Sequence, residues 1–586
     1  MNGFDQVILS LVTFLGLSAQ MNIQPNDPIV RIPHLGWLKG KTASTKWTNR
    51  TIYEFLGVPY AEAPSGKRRF KPPVAKKPWL IRDAVEMGQS CPQGERQTSY
   101  QPSIDVEDCL NMNIFTPKIP SNTRASIIQH PVIVYIHGGT FATGSNAEYP
   151  PSYLLEHDIV LVVPNYRLNA LGFLSTKTAE IPGNAGALDI LLALKWVKQN
   201  IKYFGGNSKQ ITVIGQSSGA CMASSLLVSP LVPNNLFQQM IIHSGSVFAP
   251  WSFALDPVSY AKDIAHRANV PKNASLHEIN KAFMKMDAFD LIEATNEHYS
   301  AERIRGSNRV GGQSLTVGGP TNFFLPFSPE ELLRKGFYKK NVRLIAGVVQ
   351  NEGSFLTRIL YDQLNSLSLS NKAWLMKNKF ISATVNALGV PDDKQKVLNL
   401  VKNIFAVQIK NDNFHFRSYA PGFSELSGTV GFKNPVLQLA QVNWLFMSNR
   451  TYLYSFDYRG AYSRFGYEED ISQYPFDGGV SHSDDLIYLF PYPDKVAHLN
   501  AADTEMARNM VDLWASFAET GTPQFKTSTL RWPSMTSFWG PYLHINETFN
   551  VGTLFTDEFS TELENSHEYS KVLNDDWVAN LTRYLH

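Results

Sequence analysis

The sequence predicts an α/β architecture, with a mostly parallel central sheet, helices on both faces and a small N-terminal antiparallel sheet. Three observations carry this expectation. The chain has 586 residues, 43% hydrophobic and 18% charged, which is ample material for a large buried core. The runs PVIVYI (131–136) and ITVI (211–214) are short, rich in β-branched residues and free of alternation, as fully buried strands are. ITVI is followed shortly by ACMASSLLVSPL, an apolar run with small residues that suits a helix packed on the sheet. The segment VRIPHLGWLKG (30–40) is expected in the small sheet.

The formal charge of +2 gives no bias towards nucleic acid or an anionic membrane. The densest basic run, Lys67-Arg68-Arg69 with Lys71, reads as a solvated surface stretch. Residues 1–19 contain VILSLVTFLGLSA, too short for a comfortable membrane span and ending in small residues. They read as a signal peptide, although the segment before the run carries Asp5 and no Lys or Arg. No later stretch is apolar enough to span a bilayer, so no stable membrane anchor is expected and the protein is read as secreted. Five glycosylation sequons, at Asn49, Asn273, Asn449, Asn546 and Asn580, agree with this. Cys91 and Cys109 bracket a short polar loop, and bridging it would stabilise by about 3 kcal/mol in an oxidising compartment. Cys221, inside the apolar run, reads as a buried, unpaired core residue.

Between ITVI and its helix stands IGQSSGA (214–220). A G-x-S-x-G match alone is weak, but the strand before it and the helix after it are the context of a nucleophile elbow. Glycines 215 and 219 tolerate a sharp turn, Ser217 takes the nucleophile slot, and the backbone N–H of Ser218 can face an oxyanion. Upstream, PVIVYI breaks into His137-Gly138-Gly139-Thr140, a glycine-rich turn whose N–H groups can approach a substrate. Alone, it is an ordinary tight turn.

At this point the sequence resembles the type-B carboxylesterase/cholinesterase family, of the α/β-hydrolase fold. The resemblance runs from about residue 28 to 560 through FLGVPYAEAPSGKRRFKPP (55–73), EDCLNMNIFTP (107–117), YIHGGTF (135–141), NYRLNALGFL (165–174) and FGGNSKQITVIGQSSGA (204–220). It implies a disulfide between Cys91 and Cys109. It maps the acidic triad member to Glu352 in GVVQNEGSF and the histidine to His482 in GGVSHSDDLIYLF. Read from the residues alone, NEG is an ordinary turn with a surface acid, and one histidine among fourteen is usually structural. The implied chemistry is hydrolysis of a small-molecule ester through an acyl-enzyme: His482 takes the Ser217 proton and Glu352 orients the imidazole. The N–H groups of Gly139, Thr140 and Ser218 hold the oxyanion. No metal or organic cofactor is needed, no zinc or P-loop motif occurs, and the sequence sets no oligomeric state.

Departures from the family pattern narrow the substrate. Thr140 replaces a frequent glycine and Ser218 a frequent alanine. Gln216 stands where cholinesterases carry glutamate, and the loop 91–109 lacks their choline-binding tryptophan, with only Tyr100 nearby. Neutral esters are therefore expected rather than choline esters. A glutamine at this place also occurs in juvenile hormone esterases, although Ile190 after Asp189 departs from their pattern. The remaining alternative is a non-catalytic adhesion or binding protein of the same fold, against which stand the three filled triad positions. Residues 20–586 are expected to form a single domain, with insertions near 255–335 and 360–435 walling a gorge. GFSELSG (422–428) and SRFGYEEDISQYPFDGG (463–479) read as surface loops, and Trp251 as an acyl-pocket or core residue.

Overall fold

The computed structural model describes residues 26–94, 105–120, 129–305, 313–381, 384, 394–411, 415–465, 471–491, 499–526 and 528–559, with residues 24, 574, 577, 578 and 581 placed besides. The signal-peptide segment 1–19, Tyr100 and Asn580 lie outside the described residues.

Seven strands form the parallel centre of an eleven-stranded sheet. Their spatial order is Val160–Pro164, His130–Ile136, Gly206–Gln216, Gln239–His243, Arg343–Val349, Thr451–Phe456 and Tyr542–Ile545. Antiparallel strands close both edges: Asn111–Thr116, Thr51–Pro59 and Lys41–Ser44 on one side, Asn550–Gly552 on the other. The two uniform runs of the sequence are thus neighbours, His130–Ile136 pairing with Gly206–Gln216 from Val132↔Ile211 to Ile136↔Gly215. Period-2 geometry sends their side chains to opposite faces. Val132, Val134 and Ile136 join the apolar core beneath the helices Ala185–Asn200, Ser218–Val228 and Asn434–Phe446. Ile133 and Tyr135 join the core beneath Ala501–Thr520, where Met510, Trp514 and Phe517 are fully buried. Burial on both faces explains why these strands read as continuous apolar runs.

The small sheet is mixed rather than antiparallel. Ile29–Ile32 and Gly36–Lys39 form the expected hairpin, but Ile81–Asp83 adds a third strand parallel to Gly36–Lys39. The basic run is not solvated throughout: Lys67 and Arg68 are exposed, whereas Arg69 is buried and ion-paired with Glu107. A buried guanidinium needs a carboxylate partner, and EDC supplies one from the next segment. Cys91 and Cys109 form a disulfide, and Cys221 is free, buried and unreactive, its thiol pushed up to about 12 by burial.

The two insertions are helical. Residues 255–335 supply Pro257–Arg267, Leu276–Lys285, Ala288–Arg305 and Pro329–Arg334, with an apolar cluster of Ile264, Phe283 and Leu291 against Leu171. Beyond Glu352 come Ser354–Asn365, Leu369–Asn378, Lys394–Ile404, Ala406–Lys410 and Phe416–Gly428, sharing a separate core of Leu356, Phe380, Phe405, Tyr419 and Leu426. GFSELSG is therefore the last two turns of a mostly buried helix, not a surface loop. Its small residues serve close packing: a Cβ on Gly353 would lie 1.9 Å from the Ser424 carbonyl and 2.7 Å from Gly428 N. SRFGYEEDISQYPFDGG is likewise not all surface. Residues 466–470 lie outside the described residues, but Arg464, Phe465 and Tyr474 are buried, and the Arg464 N–H donates to Asp484 at 2.5 Å.

Candidate active site

Ser217, Glu352 and the glycine-rich turn leave the carboxyl ends of parallel strands, where ligands bind in open α/β sheets, and His482 is brought to the same end by a bridge between Ser481 and Asn351. Ser217 directly follows Gly206–Gln216 and precedes the helix Ser218–Val228. Its φ of 56° and ψ of −125° are far from either element, the strained turn of a nucleophile elbow. The flanking glycines make that turn possible. A Cβ on Gly215 would lie 2.4 Å from Gly219 O, and one on Gly219 would lie 2.2 Å from Ile136 O. The Ser217 N–H is anchored to His243 O at 2.9 Å.

The turn is braced from below by a buried network. Trp514 Nε1–H donates to His243 Nε2 at 2.8 Å, which leaves the His243 Nδ1 proton for Asp485 at 2.7 Å. Burial opposes ionisation of Asp485, yet His243 and Tyr454 outweigh it and hold the carboxyl below its ordinary range.

Glu352, beyond the strand Arg343–Val349, is fully buried rather than a surface acid. One carboxylate oxygen accepts the Val349 N–H at 3.0 Å, and the other lies 2.6 Å from His482 Nδ1. That carboxylate therefore holds the Nδ1 proton and leaves a lone pair on Nε2. The amide Nε2 of Gln216 lies 3.1 Å from His482 Nε2 and 2.6 Å from Ser483 Oγ. Its N–H donates into that lone pair, whereas the Ser217 hydroxyl makes no hydrogen bond among the described residues. The imidazole is gripped by aromatic rings, Phe355 stacked at 4.5 Å and Phe432 tilted at 4.9 Å between centroids. Trp251 extends this wall, 5.4 Å from Phe432 and 6.4 Å from Phe141, with Nε1–H bonded to Gly431 O.

Gly139, Thr140 and Phe141 have φ of 104°, 55° and 60°, so the glycine-rich turn is left-handed at three successive residues. Among the described residues, the backbone N–H groups of Gly139, Thr140 and Ser218 have no protein acceptor, as donors for a ligand require. The Ser218 hydroxyl accepts the Phe141 N–H at 3.1 Å and so ties this turn to the elbow. His137 is buried and stacked on Tyr166, and burial pushes it down to about 4, so no cation stands at the turn.

Sequence reasoning did not find Phe355, Phe432, the Ser218 hydroxyl contact or the Gln216–His482 contact. Phe355 stands three residues after Glu352 in the quoted segment, a signal within reach; Phe432 is distant in sequence and had none. Ile190 lies in the apolar core and Asp189 pairs with Arg167, so that departure is a packing difference.

Fold, elbow, and the buried His–carboxylate pair are those of the α/β-hydrolases. The chain belongs to the carboxylesterase family, whose model matches residues 26–564, and it is a carboxylic ester hydrolase. It is 31% identical to glutactin of Drosophila melanogaster over 89% of this chain, but spans only 50% of that longer protein. It is 30% identical to esterase FE4 of Myzus persicae, over 90% of each chain. The solved juvenile hormone esterase of Manduca sexta, with OTFP covalently attached, matches at a TM-score of 0.75 and 25% identity, over 95% of this chain and 100% of that one. No helix among the described residues is long and apolar enough to cross a membrane.

Proposed function

We propose that the protein hydrolyses neutral carboxylic esters with an apolar acyl or alcohol part, using Ser217, His482 and Glu352. The observation that carries this reading is the 2.6 Å contact between His482 Nδ1 and a fully buried Glu352, beside a serine held in an elbow. Ser217 Oγ attacks the ester carbonyl as its proton passes to His482 Nε2. The Gln216 amide yields that lone pair as the proton arrives. Glu352 stabilises the resulting imidazolium, and the N–H groups of Gly139, Thr140 and Ser218 hold the tetrahedral oxyanion. His482 then protonates the departing alcohol, and a water attacks the acyl-enzyme by the same route.

The neutral Gln216 and the aromatic wall of Phe355, Phe432 and Trp251 favour an uncharged apolar group over a cation. Hydrolysis of a juvenile-hormone-type ester is the second reading, favoured by Gln216 and by the resemblance to the Manduca sexta enzyme. Secretion is proposed on the disulfide and the exposed sequons Asn49, Asn273 and Asn449, with residues 1–19 removed as a leader. One domain over 20–586 is supported by strands from both ends of that range sharing one sheet.

The deciding experiment is hydrolysis of short, long and choline esters and of a juvenile hormone ester by purified protein. Ser217→Ala is expected to lower kcat by at least about 10⁴-fold. Hydrolysis that survives the substitution removes Ser217 from the mechanism. A wild-type protein that cleaves no ester and resists an organophosphate returns the binding-protein reading.

A further inference from the structure

The helical insertion beyond Glu352 differs in charge from the rest of the molecule. Residues 366–420 carry seven lysines and one arginine against three aspartates, although the whole chain has 53 basic and 51 acidic residues. The remainder is therefore net negative, and the positive charge is concentrated in this one segment. Lys377, Lys379, Lys402, Lys410 and Arg417 are exposed. Large apolar side chains stand exposed among them: Leu369 at 86%, Trp374 at 54%, Val407 at 66% and Ile409 at 41%. Leu369 and Trp374 lie on Leu369–Asn378, Val407 and Ile409 on Ala406–Lys410, and the two segments are joined through the Phe380–Phe405 contact. Lys379 Nζ lies 5.9 Å over the Trp374 ring, the pairing of cation and aromatic suited to a headgroup layer.

We propose that this insertion docks on an anionic phospholipid surface. Exposed Leu, Trp and Val side chains enter the headgroup–acyl boundary while the lysines meet lipid phosphates, the two contributions that interfacial helices combine. Charge complementarity selects this occupant, because a neutral apolar partner gives the concentrated lysines nothing to pair with. The net-negative remainder of the chain is repelled from the same surface, which orients the molecule with the insertion inward. The insertion is rooted at the site, since Phe355 and Phe432, at its two ends, both touch His482. Docking therefore turns the aromatic wall towards esters dissolved in the lipid layer. This last consequence rests on the esterase reading; the binding itself does not.

The test is flotation of the purified full-length protein with vesicles of phosphatidylcholine alone, or with about one third phosphatidylglycerol, at about 0.1 M salt. Wild type is expected to float with the anionic vesicles and not the neutral ones. Leu369→Ser/Trp374→Ser/Val407→Ser and, separately, Lys402→Glu/Lys410→Glu should each weaken binding at least about tenfold. Both variants should keep the wild-type melting temperature and turnover of a soluble short-chain ester. The proposal fails if wild type ignores anionic vesicles or floats equally with neutral ones. It also fails if the apolar variant binds as wild type does; retained heparin binding by that variant would mark a polyanion site instead. Flotation without any ester turnover would sink the esterase reading and leave this one standing.

Discussion

Ser218 illustrates how much a single side chain adds to the resemblance. Its backbone N–H was legible as an oxyanion donor from its place after Ser217, but its hydroxyl also bonds the Phe141 N–H. That bond holds the turn carrying the other two donors, where Thr140 and Phe141 take left-handed φ angles that side chains disfavour. Ser218→Ala is expected to lower kcat about fivefold, the worth of one net hydrogen bond, while KM stays within a factor of two. Steady-state kinetics on one neutral ester reads this, and an unchanged kcat means the turn holds itself. Gln216 was legible as a missing charge, yet its contact with His482 Nε2 exists only in the folded chain, because 266 residues separate the partners. Gln216→Glu replaces an N–H donor by a carboxylate beside the nucleophile. The ratio of kcat/KM for a choline ester over its uncharged isostere should rise by roughly tenfold. A constant ratio would show that this position does not set charge preference.

Among elements, the buried strands were the easiest to read, because burial on both faces leaves an uninterrupted apolar signal. The helix Phe416–Gly428 was the hardest. Its glycines and serines resemble loop chemistry, but they are small so that the helix can lie against the turn carrying Glu352. The acid of the site is thus positioned by a helix more than sixty residues away. Gly353→Ala would press a methyl group onto the Ser424 carbonyl, and overpacking of this kind typically costs about 1–3 kcal/mol. We expect a lower melting temperature together with a loss of kcat, since the displaced neighbour is Glu352. A variant that melts early but keeps full kcat would show that Glu352 is held by its own strand alone.

For the molecule as a whole, the resemblance outlined the hydrolase core, while the insertions near 255–335 and 360–435 were legible only as long segments expected to wall a gorge, with no element assigned to them. Their internal contacts are local to this chain, and the third strand of the small sheet comes from a segment with no strand pattern of its own. Long-range ties across the fold were equally hidden. His157 lies 2.8 Å from Asp512, on the helix Ala501–Thr520, although 355 residues separate them. Burial opposes protonation of His157, but its bonds to Asp512 and Glu519 prevail and raise it above the ordinary 6.5. A raised value means the tie is fully present below about pH 6.5 and is lost as pH climbs through the folded value. The melting temperature of wild type should therefore exceed that of His157→Gln at about pH 6 and converge with it at about pH 9. A constant gap would assign the stabilisation to packing. The separate core of the insertion carries a different consequence, one of heat. A region with its own small core opens before the sheet does, and its two ends supply the rings against His482 while Ser217 and Glu352 belong to the sheet. On warming, ester turnover should therefore be lost while the sheet is still folded, because the same opening frees His482 from its rings and Glu352 from the helix packed on Gly353.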